Sequence, residues 1–400
     1  MTAARDARAA WVQDYLRAHC FCDAPSGPAR LTFGAELELL AFDKASRQVA
    51  PIVARDALGC SIDAVRGLGR ELKWRETISD KGVPLFTGAN GGSLTFEPGG
   101  QLEYATGVHH AAHDVLAELQ HVEARLREHA DHVGIILVAC GVDPYNGAEG
   151  APLQLGATRY RRMSQYFASI GPDGARMMRQ TASLQLNIGG FATVDRWAVA
   201  NAIAPWVIAL SANSSRYAEA DTGCASYRSD TWRGVDSMRT GVFSGADAVG
   251  DYATFAMDAP AFLLDASALP LAELGEQHMN QANLAAHLNT LFPEVRPRGY
   301  LEVRSPDAAD HEHRCASMAF VAGILGDDKA ARAALELVGV ADSELLACAG
   351  RDGMRNPRIA GVAGDLVRIA AEGAERLGHD IVSDELLGAV RALGVNRAGL

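Results

Sequence analysis

Several things are missing from this chain, and each absence narrows what it does. No run is long and apolar enough for a membrane span: the most apolar stretch, residues 198–212, contains Asn201 and Pro205 and reads as a buried helix. The first twenty residues have helical periodicity with charges throughout, and lack the apolar centre of a secretion signal. Excess positive charge is missing too. A formal net charge of -12 argues against a nucleic-acid partner, which would select a basic face. The seven cysteines (Cys20, Cys22, Cys60, Cys140, Cys224, Cys315 and Cys348) are odd in number, and none shows the two-residue spacing of redox or zinc motifs. A reduced, soluble, cytoplasmic protein is expected. There is no G-x-x-x-x-G-K-[ST], no G-x-G-x-x-G after a strand and no kinase signature. There is also no internal repeat. An acidic chain can still hold a nucleotide if arginines or bound metal cluster locally.

With 400 residues and 48% hydrophobic content, the chain can bury a large core in one big domain or two. In order, the periodicity predicts a helix over 4–19, a Pro/Gly/Ser loop over 24–29 and a strong alternating strand over 31–43. A helix over 62–68, a strand near 72–77 and a turn or loop over 87–93 follow. Further helices are predicted over 110–133, 157–168, 172–179 and 192–213, with strands over 134–144, 181–188 and 299–305. A long connection bearing Arg and Gly fills 214–241, and everything from Cys315 onward is helical and alanine-rich. Strands separated by long helices, without regular β-α units, indicate an α+β fold with an antiparallel sheet. A core is expected over about 30–307, with the helical part 315–400 packed on it in a single domain.

The stretch from Ser93 to Tyr104 organises the rest. It carries Glu97, a Pro98-Gly99-Gly100 turn, then Gln101 and Glu103, which share a strand face. The glycines permit a sharp reversal that returns Glu97 toward the other two. Three further strands repeat the pattern, with Glu36 and Glu38 on one face of 31–43, Gln185 and Asn187 on one face of 181–188, and Glu302 with Arg304 on 299–305. None of these positions is Lys. Carboxylates gathered in this way are costly unless cations sit among them. Two or more Mg²⁺ ions holding a triphosphate suit such a face, with Arg304 where charge develops on the transferred phosphoryl group.

These residues resemble the glutamate–cysteine ligases of the plant and actinobacterial type, most closely the branch that supplies γ-glutamylcysteine for ergothioneine synthesis. The plant branch is the one tied to glutathione. The matching stretches are FGAELELLAFD, FEPGGQLEYATG, MMRQTASLQLNI, SYRSDTWRGVDSMRTG and HLNTLFPEVRPRGYLEVRSPD, in family order over about two thirds of the chain. The resemblance implies a glutamine-synthetase-like catalytic cavity and a two-step reaction. ATP phosphorylates the γ-carboxylate of L-glutamate, then the amine of L-cysteine attacks the acyl phosphate. It assigns Glu36, Glu38, Glu97, Glu103 and Glu302 to metal and Arg304 with Glu302 to catalysis. Substrate binding falls to Arg228, Gln101, Arg239, Gln185 and Asn187, with Arg228 on the glutamate α-carboxylate. One departure is Asn187-Ile188-Gly189-Gly190, where the family often has an acidic residue.

Other readings compete. A different acceptor amine, a non-catalytic nucleotide or glutamate sensor, and a kinase that stops at the phosphorylated acid all fit the same residues. His109 and His113 are read as a pair four apart on a helix, with metal binding the minor possibility. His311-Glu312-His313 is read as a polar surface loop, and Trp232 as packing in preference to an adenine platform.

Overall fold

The computed structural model describes residues 2–22, 30–53, 59–79 and 82–395, so the loop expected over 24–29 lies outside the described residues. The organising strand is β1, Thr32–Asp43, whose alternation sends Phe33, Ala35, Leu37 and Leu39 into the core while Glu36 and Glu38 face the other way. Around it lie β2 (Arg75–Ile78), β3 (Pro84–Thr87), β4 (Ser93–Phe96), β5 (Leu102–Ala105), β6 (Ile135–Val138), β7 (Leu184–Gly189), β8 (Val295–Pro297) and β9 (Leu301–Val303). Among the described residues these form one nine-stranded sheet in the order β8-β9-β7-β1-β5-β4-β3-β2, with β6 pairing the far half of β1. Every pairing in it is antiparallel, as the α+β reading expects.

The apolar face is covered by helices. Ala112–His132 packs on β1 and β6, and His311–Gly326 packs on β7 and on the Thr193–Ser211 helix. The C-terminal helices Pro357–Leu377 and Asp384–Val395 close over His311–Gly326, and all share one hydrophobic cluster with the sheet. No helix among the described residues is long and apolar enough to cross a membrane.

The structure differs from the sequence reading in three places. The 214–241 connection contains a helix, Tyr227–Val235, capped by Ser226, whose Oγ accepts from the Ser229 N–H. His311 to His313 open a helix and form no loop, because Asp310 caps that helix through the His313 N–H. His109 sits ahead of its helix in a bridge with Phe33, so it and His113 are no helical pair.

The turn at 98–100 needs its glycines. A Cβ on Gly99 would stand 2.1 Å from the Arg179 carbonyl oxygen, and Gly100 has φ +96°. The Gly100 N–H donates to the Glu97 carbonyl at 2.8 Å and closes the reversal.

Candidate active site

The side chains that β1, β5, β7 and β9 turn away from the core form a polar face, and register decides which of them meet. Glu36 lies opposite Gln185 on β7, Glu38 opposite Glu103 on β5, and Glu302 opposite both Asn187 on β7 and Arg296 on β8. Three helices roof this face and leave a cavity of ≈ 100 Å³. Thr158–Ala168 supplies Arg159, Tyr160 and Met163, Asp173–Gln180 supplies Met177 and Met178, and Tyr227–Val235 supplies Arg228 and Trp232. The sheet side of the cavity is Glu38, Glu97, Gln101, Ser183 and Arg304. A larger groove of ≈ 720 Å³ lies elsewhere, but its Arg376 is already paired with Asp327 at 2.8 Å and its Arg196 with Asp328. Chemistry, not volume, marks the smaller cavity.

Its electrostatics divide in two. Burial pushes Glu36 and Glu38 above the ordinary carboxylate range. At Glu36 the charge of Glu302 adds to that rise and Arg304 opposes it. At Glu38 the opposition comes from Arg228 and from Ser183, whose N–H and Oγ–H donate to Oε2 at 2.6 and 3.0 Å. Glu302 behaves otherwise. Its burial would raise it, but Arg296, Arg304 and Arg298, at 3.0, 3.4 and 3.7 Å, outweigh that and hold it below the usual range.

The arginines are themselves held in place. Arg304 donates to Gln185 Oε1, and Arg228 donates to the carbonyls of Arg304 and Ser305 at 2.8 and 3.2 Å. Both guanidiniums stack over Trp232, at 5.1 Å for Arg228 and 5.9 Å for Arg304. Trp232 donates its Nε1–H to the Phe292 carbonyl, so it is the packed platform expected of it. Asp307 accepts from Ser214 and Ser226 Oγ and lies 3.6 Å from Arg228, which ties that arginine to the start of its helix.

The structure therefore gathers Glu36, Glu38, Glu97, Gln101, Glu103, Gln185, Asn187, Arg228, Glu302 and Arg304 about one sheet face. It does not bring Arg239 there. Arg239 is fully buried, donates to Thr290 and to the Pro260 carbonyl, pairs with Asp236 at 3.1 Å and stacks on Phe262 and Tyr166. It does not line the cavity. Gln101 is a turn anchor: its Oε1 accepts from Gly99 N–H and its Nε2–H donates to the Thr181 carbonyl. Glu302, expected among metal ligands, is the counter-ion of three arginines. Sequence reasoning missed Arg159, Tyr160 and the three methionines. Arg159, Tyr160 and Met163 share a helix face by i, i+3 and i+4 spacing, but periodicity does not say which face of the sheet a helix covers.

A hard cation suits the residues present. Buried Asn187 Oδ1 has no hydrogen-bond partner among the described residues, and Glu36 and Glu38 are carboxylates whose burial is not fully offset by the arginines around them. Within the described residues no three of these carboxylates place oxygens within 4.8 Å of one another. Any Mg²⁺ held here would therefore take one or two of these carboxylates and complete its shell with phosphate and water.

An antiparallel sheet presenting acids and guanidiniums under a helical roof places the chain in the class of α+β proteins with a polar cavity on one sheet face. Comparison with known proteins makes this specific. The chain belongs to the glutamate–cysteine ligase family 2 (GCS2), whose model matches residues 32–395. It is 33% identical over 293 residues to glutamate–cysteine ligase EgtA of Mycolicibacterium smegmatis, covering 67% of each protein. It is 28% identical over 348 residues to the chloroplastic glutamate–cysteine ligase of Arabidopsis thaliana, covering 79% of this chain and 66% of that protein. The chain thus spans about two thirds of the length of these relatives. In three dimensions it is similar to a Francisella tularensis glutamate–cysteine ligase solved in complex with AMP, with a TM-score of 0.51, 13% identity, and coverage of 95% of this chain and 83% of that one. That likeness shows the fold.

Proposed function

We propose that the chain is an ATP-dependent ligase that forms γ-L-glutamyl-L-cysteine from L-glutamate and L-cysteine through a γ-glutamyl phosphate. The observation that carries this reading is the Glu38–Glu103 pair, two acids directly opposite on neighbouring strands. Like charges in that position are destabilising, so the arrangement makes sense around a cation. Membership of the glutamate–cysteine ligase family supports glutamate and cysteine as the substrates.

In this reading Glu36, Glu38, Glu97 and Glu103 hold Mg²⁺ together with the phosphates of ATP. Mg²⁺ held by these residues would neutralise the triphosphate and polarise the transferred group. Because burial favours the protonated forms of Glu36 and Glu38, loading the site releases protons from them. Arg304, oriented by Gln185, Glu302 and the Trp232 face, lies where charge develops on the phosphoryl group. Arg228 receives the glutamate α-carboxylate, its planar fork suited to that anion. Asn187 offers its unpaired oxygen to the substrate ammonium or to metal-bound water. Rate enhancement comes from alignment and electrostatics, with no covalent enzyme intermediate. The seven cysteines are all free thiols, which suits a reducing cytoplasm.

An ADP-release assay with ATP, Mg²⁺ and glutamate, with and without cysteine, tests the reading. Equal amounts of ADP and γ-glutamylcysteine by mass spectrometry are expected. Equal turnover with any of twenty amines, or ADP without dipeptide, would contradict it.

A further inference from the structure

Away from the sheet, the helix His311–Gly326 presents His311 and Cys315 on one face by their i, i+4 spacing, and the first turn of Asp384–Val395 brings Glu385 against them. His311 Nε2 lies 3.2 Å from Glu385 Oε1 and 3.5 Å from Cys315 Sγ, and all three atoms lie within 4.8 Å of one another. Among the described residues this is the group of at least three His, Cys, Asp or Glu side chains so placed.

We propose that His311, Cys315 and Glu385 form a site for a thiophilic divalent cation of the Zn²⁺ class, which clips the C-terminal helix to the core. Geometry is the first argument. Tetrahedral Zn²⁺ with bonds of about 2.0–2.1 Å to nitrogen and oxygen and about 2.3 Å to sulfur has N–O and N–S edges of roughly 3.3 and 3.5 Å. The two measured edges match. The third, sulfur to oxygen, closes by rotation of Glu385, whose side chain is 67% exposed and free to move.

Hydrogen-bond chemistry is the second argument. An imidazole Nε2 carries either one proton or one lone pair, so it cannot fully serve the Glu385 carboxylate and the Cys315 thiol together. A cation accepts a lone pair from all three. Binding displaces the Cys315 thiol proton to solvent, and thiolate plus carboxylate then balance the two positive charges. Sulfur and imidazole donors select Zn²⁺ or Co²⁺ over Mg²⁺. Water fills the fourth position. Cys315 is buried at 1% exposure while Glu385 faces solvent, so the ion has an entry path and a dry wall behind it.

The test does not involve ligase turnover. The full chain, stripped of metal with a chelator, is titrated with Co²⁺ and followed by absorption. One equivalent should give tetrahedral d–d bands with a thiolate-to-cobalt charge-transfer band, and Zn²⁺ should displace it. Cys315→Ser should abolish the charge-transfer band. His311→Ala and Glu385→Gln, at accessible helix starts, should weaken Co²⁺ binding at least about tenfold, since even outer-shell losses cost that much. Zn²⁺ should raise the thermal midpoint of the wild-type chain by about 5 °C and leave His311→Ala unmoved. Absence of the band in the wild-type chain, or its persistence in Cys315→Ser, overturns the proposal. If Cys315→Ser does not fold, unchanged Co²⁺ affinity in both other variants overturns it equally.

Discussion

Two cross-strand pairs on the same face of the same sheet are treated in opposite ways. Across β8 and β9, Glu302 meets Arg296 with Arg298 and Arg304 close by, and the charge is balanced inside the protein. Across β1 and β5, Glu38 meets Glu103, and burial leaves Glu38 with a raised proton affinity. Similar carboxylates therefore have different proton affinities according to whether nearby guanidiniums outweigh their burial. One pair sets a carboxylate against a guanidinium, and the other sets a carboxylate against a carboxylate. On the proposed reading, the first builds the site and the second takes part in its chemistry.

The largest effect should come from the acid–acid side. Glu38→Gln or Glu97→Gln should lower kcat for ADP release by at least about 10³-fold with circular dichroism unchanged, because on the proposed reading these carboxylates hold the metal that neutralises ATP. Arg228→Lys should cost about 10²-fold in kcat/KM for glutamate, mostly as KM, because a point charge replaces a planar fork. On the balanced side the damage should fall on stability. Glu302→Gln leaves three guanidiniums without a buried counter-ion and should lower unfolding free energy by about 3–5 kcal/mol in urea titration. A Glu302→Gln chain of native stability would erase the distinction.

Smaller differences sharpen it. Gln101→Leu removes two buried hydrogen bonds at the turn and should cost about 1–3 kcal/mol, with a modest fall in kcat. The pH dependence should also split. Glu38 has a raised folded pKa, so the stability tied to its protonation is full below the ordinary carboxylate range and is lost as pH rises through the folded value. In metal-free buffer, Glu38→Gln should therefore gain stability relative to the wild-type chain as pH climbs toward neutrality. Glu302 has the opposite sign, its contribution present at neutral pH and lost as pH falls through its depressed value. Urea midpoints from acid to neutral pH check both.

Much of this face was legible in the sequence because strand alternation is a period of two, and register follows from which face is buried. Spacing alone puts Glu36 with Glu38, Gln101 with Glu103, Gln185 with Asn187 and Glu302 with Arg304, each pair on one face of its own strand, and the resemblance added Arg228. What spacing cannot give is what stands opposite on the next strand. Glu302 looked like another metal-binding acid because Arg296, six residues earlier, returns beside it only once β8 and β9 pair. Arg239 followed a family match into the site, and its burial against Phe262 and Tyr166 depends on segments far from it in sequence. The roof of Arg159, Tyr160 and the methionines was invisible for the same reason. Helical periodicity predicted each helix but not where it docks. His311 reads as loop from its polarity, while the Asp310 cap makes it the first residue of a helix.

The account stands or falls on a cation at the Glu38–Glu103 pair. Electron paramagnetic resonance of Mn²⁺ titrated into the chain with a non-hydrolysable ATP analogue measures that directly. Tight Mn²⁺ binding is predicted in the wild-type chain at neutral pH, with affinity lost in Glu38→Gln and Glu97→Gln; undiminished binding in both variants would contradict it.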